Sequence, residues 1–557
     1  MGATEKGKGG VLVGRVLRPY TRRRDMTDRS SSRMETADPR AAAARAALAR
    51  GDLAAALGLA ARAAAQWPEL AEAHFIQGVS LGESGRVGAA IEHVRRAVVI
   101  APVGEYRAQL ARLLSLARRD GEAADVLAEA EQVLPADALG RDTMGCVYAR
   151  LGRHDAALPH FAAAVAMAPD NGEYRYNLAV THNFLGQVEQ AEAELEALIA
   201  RAPDDARAHH LLAGLRRQTA AHNHVERLTA AAARAADTRE GLLLGHALAK
   251  ELEDLGEEGR ALATLCEVNR RHRRGLDYAF ARDEANFVAA EAAWPALAAA
   301  EVSGAAEAAP IFIVGMPRTG TTLVDRIVSS HPEVASAGEL QAMPVAVKLA
   351  AGTGGRTVLD PETLMRAARG DIAAIGHDYL RRAAHHLAPG KPRFSDKFPG
   401  NFHYLGFIAR ALPNARIVCL RRHPVDTVLS NFRNLFAISS PYYDYSYDLL
   451  DIAAYYLRFD RLMAFWRDTL PGRVLELRYE DLVADQEAGT RRLLAHCGLG
   501  WDARCLSFHD NAAAVATPSA AQVRRPIYHD SVDRWRRHGE VLAPVMRMFA
   551  EAGIAID

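Results

Sequence analysis

Eight consecutive residues, Gly315-Met316-Pro317-Arg318-Thr319-Gly320-Thr321-Thr322, combine two glycines, three hydroxyl side chains and one cation. That set suits the binding of a phosphate-like anion. Gly315 and Gly320 permit a tight turn with close backbone approach, and a following helix would aim its free N–H groups and positive dipole end at the anion. The spacing is near G-x-x-x-x-G-K-[ST], but Thr321 stands at the lysine position and the cation has moved inside the loop, to Arg318. In nucleoside triphosphate chemistry that lysine reaches the terminal phosphates and the adjacent hydroxyl holds magnesium, so its absence argues against metal-dependent phosphoryl transfer. An arginine fork over a hydroxyl-lined nest suits a phosphosulfate instead.

The elements that must position this loop are legible on both sides. Pro310-Ile311-Phe312-Ile313-Val314 predicts a strand and Leu323-Val324-Asp325-Arg326-Ile327-Val328 a helix. A second basic strand end follows in Ala415-Arg416-Ile417-Val418-Cys419-Leu420-Arg421-Arg422-His423-Pro424, where the proline suits a first helical turn. Arg422 can pair a phosphate through two parallel N–H bonds, and the hydroxyl of Ser430 adds a donor.

These two elements, in this order and about a hundred residues apart, resemble the sulfotransferases that use 3′-phosphoadenosine 5′-phosphosulfate (PAPS). The resemblance implies that Pro317, Arg318, Thr319, Gly320, Thr321 and Thr322 hold the 5′-phosphosulfate end, and that Arg422 and Ser430 hold the 3′-phosphate. The tyrosylprotein sulfotransferases are the branch it resembles most. Glu339, in Ala335-Ser336-Ala337-Gly338-Glu339, matches their catalytic base, and Lys397, in Ser395-Asp396-Lys397-Phe398, falls at their catalytic lysine. Arg318 would share the charge stabilisation. His403 is a rival base, read as structural or substrate-facing. Tyr479, in Arg478-Tyr479-Glu480-Asp481-Leu482, resembles the adenine-contacting tyrosine. Ser519 and Arg525, in Ser519-Ala520-Ala521-Gln522-Val523-Arg524-Arg525-Pro526, match a segment that closes over the 3′-phosphate, with Arg525 where that branch carries lysine.

One departure bears on the acceptor. Where those enzymes carry arginines that grip acidic peptides, Leu340-Gln341-Ala342-Met343-Pro344-Val345-Ala346 has no charge. The aromatic and acidic run Tyr442-Tyr443-Asp444-Tyr445-Ser446-Tyr447-Asp448 reads as the lining of an acceptor cleft, a mobile lid or a packed loop.

At 557 residues the chain exceeds what one core usually organises; 49 % hydrophobic residues, 24 % charged residues and zero formal net charge exclude a disordered or broadly nucleic-acid-seeking chain. No segment is apolar for long enough to span a bilayer. Residues 1–39, with Arg22-Arg23-Arg24 and Ser30-Ser31-Ser32, read as a disordered basic tail without a secretory apolar stretch, and Met26 and Met34 are alternative starts. The five cysteines are odd in number and lack metal-like spacing, which predicts reduced thiols, a cytoplasmic location and no metal.

Prolines 68, 102, 135, 169 and 203 recur at 34, 33, 34 and 34 residues, with turn glycines at Gly51, Gly85, Gly152 and Gly186 and a displaced Asp120-Gly121. This period is that of tetratricopeptide repeats, helix pairs that stack into a solenoid with a peptide-binding groove. The expected architecture is α plus α/β: a basic tail (1–39), an all-α tetratricopeptide solenoid (40–275), a helical linker (276–309) and a P-loop-like three-layer α/β sulfotransferase domain with a parallel sheet (310–557). The basic run Asn269 to Arg274 reads as a solvated helix end. The expected activity is metal-free sulfonate transfer from PAPS to a hydroxyl, releasing 3′,5′-adenosine bisphosphate. The acceptor would be a protein or peptide, tyrosine included, captured by the groove. A saccharide or small-molecule acceptor, and a noncatalytic scaffold with a nucleotide-sensing domain, are the alternatives.

Overall fold

The computed structural model describes residues 38–300, 305, 308–355, 357–387, 390–511, 513–515, 522–529 and 531–556. The chain forms two compact units that divide between Pro203 and Asp204.

The first unit is a run of antiparallel helix pairs: Ala42–Ala49 with Leu53–Gln66, Ala71–Glu83 with Val87–Ile100, Gly104–Leu116 with Asp120–Ala130, Ala138–Arg150 with His154–Met167, and Gly172–Leu185 with Val188–Arg201. Small residues set the spacing within pairs. A Cβ on Gly78 would lie 2.3 Å from Val94 Cγ2, and one on Gly145 2.8 Å from the Phe161 ring. Four of the inter-helix turns use a left-handed glycine, Gly51, Gly85, Gly152 or Gly186. In the third pair the left-handed residue is Arg118 (φ 60°), and Gly121 lies inside the following helix. The Asp120-Gly121 pair is therefore a helix start rather than the turn, because the chain reverses two residues earlier.

The second unit begins with helices Ala206–Gly214, Val225–Arg234, Arg239–Asp254, Glu258–Arg274, Phe280–Ala292 and Trp294–Ala299. A five-stranded parallel sheet follows, β1 (Ile311–Gly315), β2 (Val334–Ser336), β3 (Arg393–Asp396), β4 (Arg416–Arg421) and β5 (Val474–Arg478), in the order β2-β3-β1-β4-β5. Alternate side chains of β1 enter opposite cores. Ile311 and Ile313 pack with Val324, Ile327, Leu482 and Leu493, whereas Phe312 and Val314 pack with Tyr379, Phe402 and Phe407. Helices thus cover both faces of the sheet, giving three layers.

The second core also includes the helices before the sheet. Phe287 packs on Phe402, His403 and Tyr455, and Trp294 meets Trp466 edge-on at 5.8 Å. The basic run ending Glu258–Arg274 is only partly solvated. Asn269 is fully buried, and Arg273 donates to Asp451 at 2.7 Å while lying over the Tyr278 ring.

Candidate active site

In a parallel sheet every strand delivers its following loop to the same edge, and ligands bind in the crevice outside those carboxyl ends. Here each strand end carries one of the candidate residues. Glu339 follows β2, Lys397 follows β3, residues 316–320 follow β1, Arg422 follows β4 and Tyr479 follows β5. The chain order 320, 339, 397, 422, 479 becomes the spatial order 339, 397, 320, 422, 479. At ~4.8 Å between neighbouring strands, the row extends roughly 19 Å.

The loop after β1 is built on three left-handed positions: Gly315 (φ 145°), Arg318 (φ 67°) and Gly320 (φ 104°). A Cβ on Gly315 would lie 2.7 Å from the Leu420 carbonyl oxygen, and one on Gly320 2.7 Å from Tyr479 Cδ2. Thr319 Oγ1 donates to the Met316 carbonyl at 2.8 Å and closes the turn. Helix Thr321–Ser329 starts at once, and its N-cap Gly320 supplies no side-chain acceptor. The helix dipole therefore points its positive end at the loop, where it favours an anion. Thr321 and Thr322 are buried at this end.

Arg422 lies across the loop. Its guanidinium donates to the Arg318 carbonyl at 3.1 Å and to the Ser531 carbonyl, sits 5.1 Å over the Tyr479 ring, and approaches Asp426 to 4.0 Å. Its Nε is buried without a hydrogen-bond partner among the described residues. Burial, then the neighbouring cations Arg422 and Arg433, push the Arg318 guanidinium down to about 10. Clustered, half-buried arginines of this kind favour an anion. Ser430 is half-buried on helix Pro424–Phe432, which starts two residues after Arg422. Arg318 Nη2 also donates to Gln522 Oε1 at 3.3 Å, so the 522–529 segment comes against the loop. Arg525 in that segment lies over the Tyr528 ring at 5.5 Å. Ser519 lies outside the described residues.

Glu339 and Lys397 form a second group. Lys397 Nζ donates to Glu339 Oε1 at 2.5 Å, and the Lys397 N–H donates to the Gly338 carbonyl at 2.8 Å. Lys397 is 2 % exposed, while the Glu339 side chain is 30 % exposed. Burial and the Glu339 carboxylate both raise the Tyr443 hydroxyl above its ordinary range.

His403 is fully enclosed, with Nε2 3.3 Å from the Tyr455 hydroxyl, and burial pushes it down to about 3. It is a packed aromatic-core histidine. The 442–448 run is likewise packed: Tyr445 stacks on Tyr455 at 4.0 Å, Tyr447 meets His272, and Asp444 accepts from Arg282 at 3.1 Å. Residues that were given no role from the sequence also hold the site together. Asn431 Nδ2 donates to the Pro317 carbonyl at 2.9 Å, and Glu480 accepts from the His423 N–H at 2.8 Å. Asp426 accepts from the N–H groups of Asp533 and Trp535. Among the described residues, no group of three or more His, Cys, Asp or Glu residues could hold a metal ion.

Residues 310–503 match the sulfotransferase family, and residues 41–105 and 148–215 match tetratricopeptide repeats. An uncharacterised protein of Aquifex aeolicus is 36 % identical over 246 residues, 43 % of this chain and 32 % of that protein. A putative protein-tyrosine sulfotransferase of Caenorhabditis briggsae is 24 % identical over 233 residues, 40 % of this chain and 80 % of that protein. The sulfotransferase domain of the Synechococcus PCC 7002 olefin synthase aligns with 45 % of this chain and 98 % of its own, at 18 % identity and a TM-score of 0.31. The match thus spans about a third of the Aquifex protein and most of the Caenorhabditis one. The chain carries tetratricopeptide repeats followed by a domain of the sulfotransferase family.

Proposed function

We propose that the second unit transfers a sulfonate from PAPS to a hydroxyl acceptor. The observation that carries this reading is the row of side chains on one sheet edge, a carboxylate and a buried ammonium at one end and two arginines beside a glycine loop further along. The cradle at Gly320, the partner-free Nε of Arg422 and the positive dipole end of helix Thr321–Ser329 fit a phosphate-bearing nucleotide. PAPS supplies an activated sulfur–oxygen bond.

Glu339 takes the acceptor's hydroxyl proton as the acceptor oxygen bonds to sulfur. The sulfur–phosphate oxygen bond breaks, and its electron pair leaves with the 5′-phosphate of 3′,5′-adenosine bisphosphate. An ammonium has three donors. Lys397 commits one to Glu339, and the others face the charge that develops on the sulfonate and bridging oxygens. Arg318 and the helix N-terminus offset charge on the departing phosphate, while Arg422, Ser430, Ser519 and Arg525 hold the 3′-phosphate and Tyr479 the adenine.

A protein or peptide hydroxyl is the proposed acceptor, since tetratricopeptide repeats commonly present a peptide-binding groove. Helix Ala342–Ala351 after Glu339 offers no arginine, and its one cation, Lys348, is paired with Asp360 at 3.1 Å. The acceptor site is accordingly assigned no preference for acidic peptides. A cytoplasmic location is proposed from five unpaired cysteines. Among the described residues no helix is long and apolar enough to cross a membrane.

Calorimetric titration with 3′,5′-adenosine bisphosphate, compared with ADP plus magnesium, tests the proposal. Metal-free, selective binding of the bisphosphate is expected. Preference for magnesium-ADP would replace the assignment with phosphoryl transfer, and binding of neither would favour a scaffold.

A further inference from the structure

One buried carboxylate connects the phosphate loop's helix to both members of the Glu339–Lys397 pair. Asp325 lies in helix Thr321–Ser329 and is 5 % exposed. Its Oδ1 accepts from Ser395 Oγ at 2.6 Å and its Oδ2 from Ser336 Oγ at 2.8 Å. Those serines are partners on one rung of the β2–β3 ladder. Ser395 precedes Lys397 by two residues and Ser336 precedes Glu339 by three. Beyond that rung the strands stay coupled: the Gly338 N–H donates to Ser336 Oγ at 3.2 Å, the Ala337 N–H to the Ser395 carbonyl at 2.9 Å, and the Lys397 N–H to the Gly338 carbonyl at 2.8 Å.

From this network we infer that Asp325 is a positioning residue, fixing the Ser336–Ser395 rung so that the Glu339 carboxylate and Lys397 ammonium meet, and tying both to the helix that faces the donor's phosphate. The inference rests on the roles proposed above for Glu339 and Lys397. A buried carboxylate must fill its acceptor sites, and here both oxygens are filled by hydroxyls from the two strands that carry the pair. Burial raises the Asp325 carboxyl, opposed by Ser395, Lys397 and Ser336. A pure fold staple would affect stability alone. A positioning residue also changes what Lys397 can do.

Lysine reactivity reads this directly and needs no acceptor, because the chain has only six lysines. The full chain and its Asp325→Asn, Ser395→Ala and Ser336→Ala variants would be acetylated with a water-soluble N-hydroxysuccinimide ester, and the rate at Lys397 taken by peptide mass spectrometry. Lys250 and Lys348, paired with Asp254 and Asp360, serve as internal references. Loosening the rung frees the ammonium from its carboxylate. The Lys397 rate relative to the references is expected to rise about fivefold or more, while affinity for 3′,5′-adenosine bisphosphate changes less than about threefold. An unchanged ratio in folded variants, even with a lowered melting temperature, would overturn the inference. If Asp325→Asn does not fold, the two serine variants, which keep the carboxylate, decide it in the same way. A raised ratio in a chain that binds no bisphosphate would sustain the positioning role while removing the proposed sulfotransferase chemistry, so the two readings fail separately.

Discussion

Glu253 and Arg433, 180 positions apart, are joined by two hydrogen bonds, Nε and Nη2 of the guanidinium each donating to a different carboxylate oxygen. Arg433 caps helix Pro424–Phe432, and Asn269 Nδ2 donates to the Phe432 carbonyl at 3.1 Å while His246 bonds Asn269 at 2.8 Å. Helices Arg239–Asp254 and Glu258–Arg274 therefore hold the far end of the helix that begins beside Arg422. Replacing Glu253 by Ala leaves a mostly buried cation near Arg318 without its carboxylate. A loss of about 2 kcal/mol is expected, less than for a fully buried pair because both side chains keep some solvent contact. Thermal unfolding checks this; an unshifted midpoint would show that the pair is not stabilising.

Lys397→Ala and Glu339→Gln address chemistry rather than binding. Each is expected to lower sulfonate transfer from labelled PAPS by roughly 10²-fold or more while affinity for 3′,5′-adenosine bisphosphate stays within about threefold. A parallel loss of affinity would move both residues from catalysis to nucleotide binding.

Two left-handed glycines should respond differently to alanine. At Gly320 the φ of 104° adds backbone strain to a Cβ 2.7 Å from Tyr479, so Gly320→Ala must displace the ring beneath Arg422, and bisphosphate affinity should fall at least about tenfold. Gly338 has φ 66° and open space around its Cβ, so Gly338→Ala should cost only the backbone term, about 1 kcal/mol. Calorimetry and thermal melts separate the two; equal effects would contradict the steric account.

Asp396 gives a pH prediction. Burial pushes its carboxyl up to about 8, although Tyr379, Phe398 N–H and Asn401 donate to it. The folded value lies above the unfolded one of about 4, so this group's contribution is complete below pH ~4 and is lost as pH rises through about 8. Wild-type stability should fall relative to Asp396→Asn between pH 6 and 8, on the order of 1 kcal/mol per unit. A pH-independent difference would mean that its hydrogen-bond donors hold the carboxylate ionised.

Truncation tests where the catalytic unit begins. Removing residues 40–275 would raise the Michaelis constant for a macromolecular acceptor if the repeats capture it, but it would also remove Glu253 and Asn269. A cut before Asp204 retains them, and should keep bisphosphate binding while raising that constant. A cut before Pro310 strips Phe287 and Trp294 from Phe402, Tyr455 and Trp466, and should yield insoluble protein. Soluble, bisphosphate-binding protein from the shorter chain would place the boundary at 310.

Short-range physics made much of this protein readable in one dimension. Left-handed turns favour glycine, helices bury small residues with a 34-residue period, and an anion loop needs a strand before it and a helix after it. Gly51, Gly315 and Gly320 consequently stand where their spacing predicts. The displaced turn at Arg118 was not legible, because an arginine in the left-handed region carries no local signal. Tertiary structure alone decided the sheet order β2-β3-β1-β4-β5, which sets Glu339 beside Lys397 and Arg422 beside the loop. It also decided that Asp325 meets Ser336 and Ser395, that Phe287 packs with Phe402, and that Glu253 reaches Arg433. Those pairings join residues 11 to 180 positions apart. They follow from which strands pair and which apolar faces are buried together, choices made by the whole chain's packing and not by any one segment's preferences.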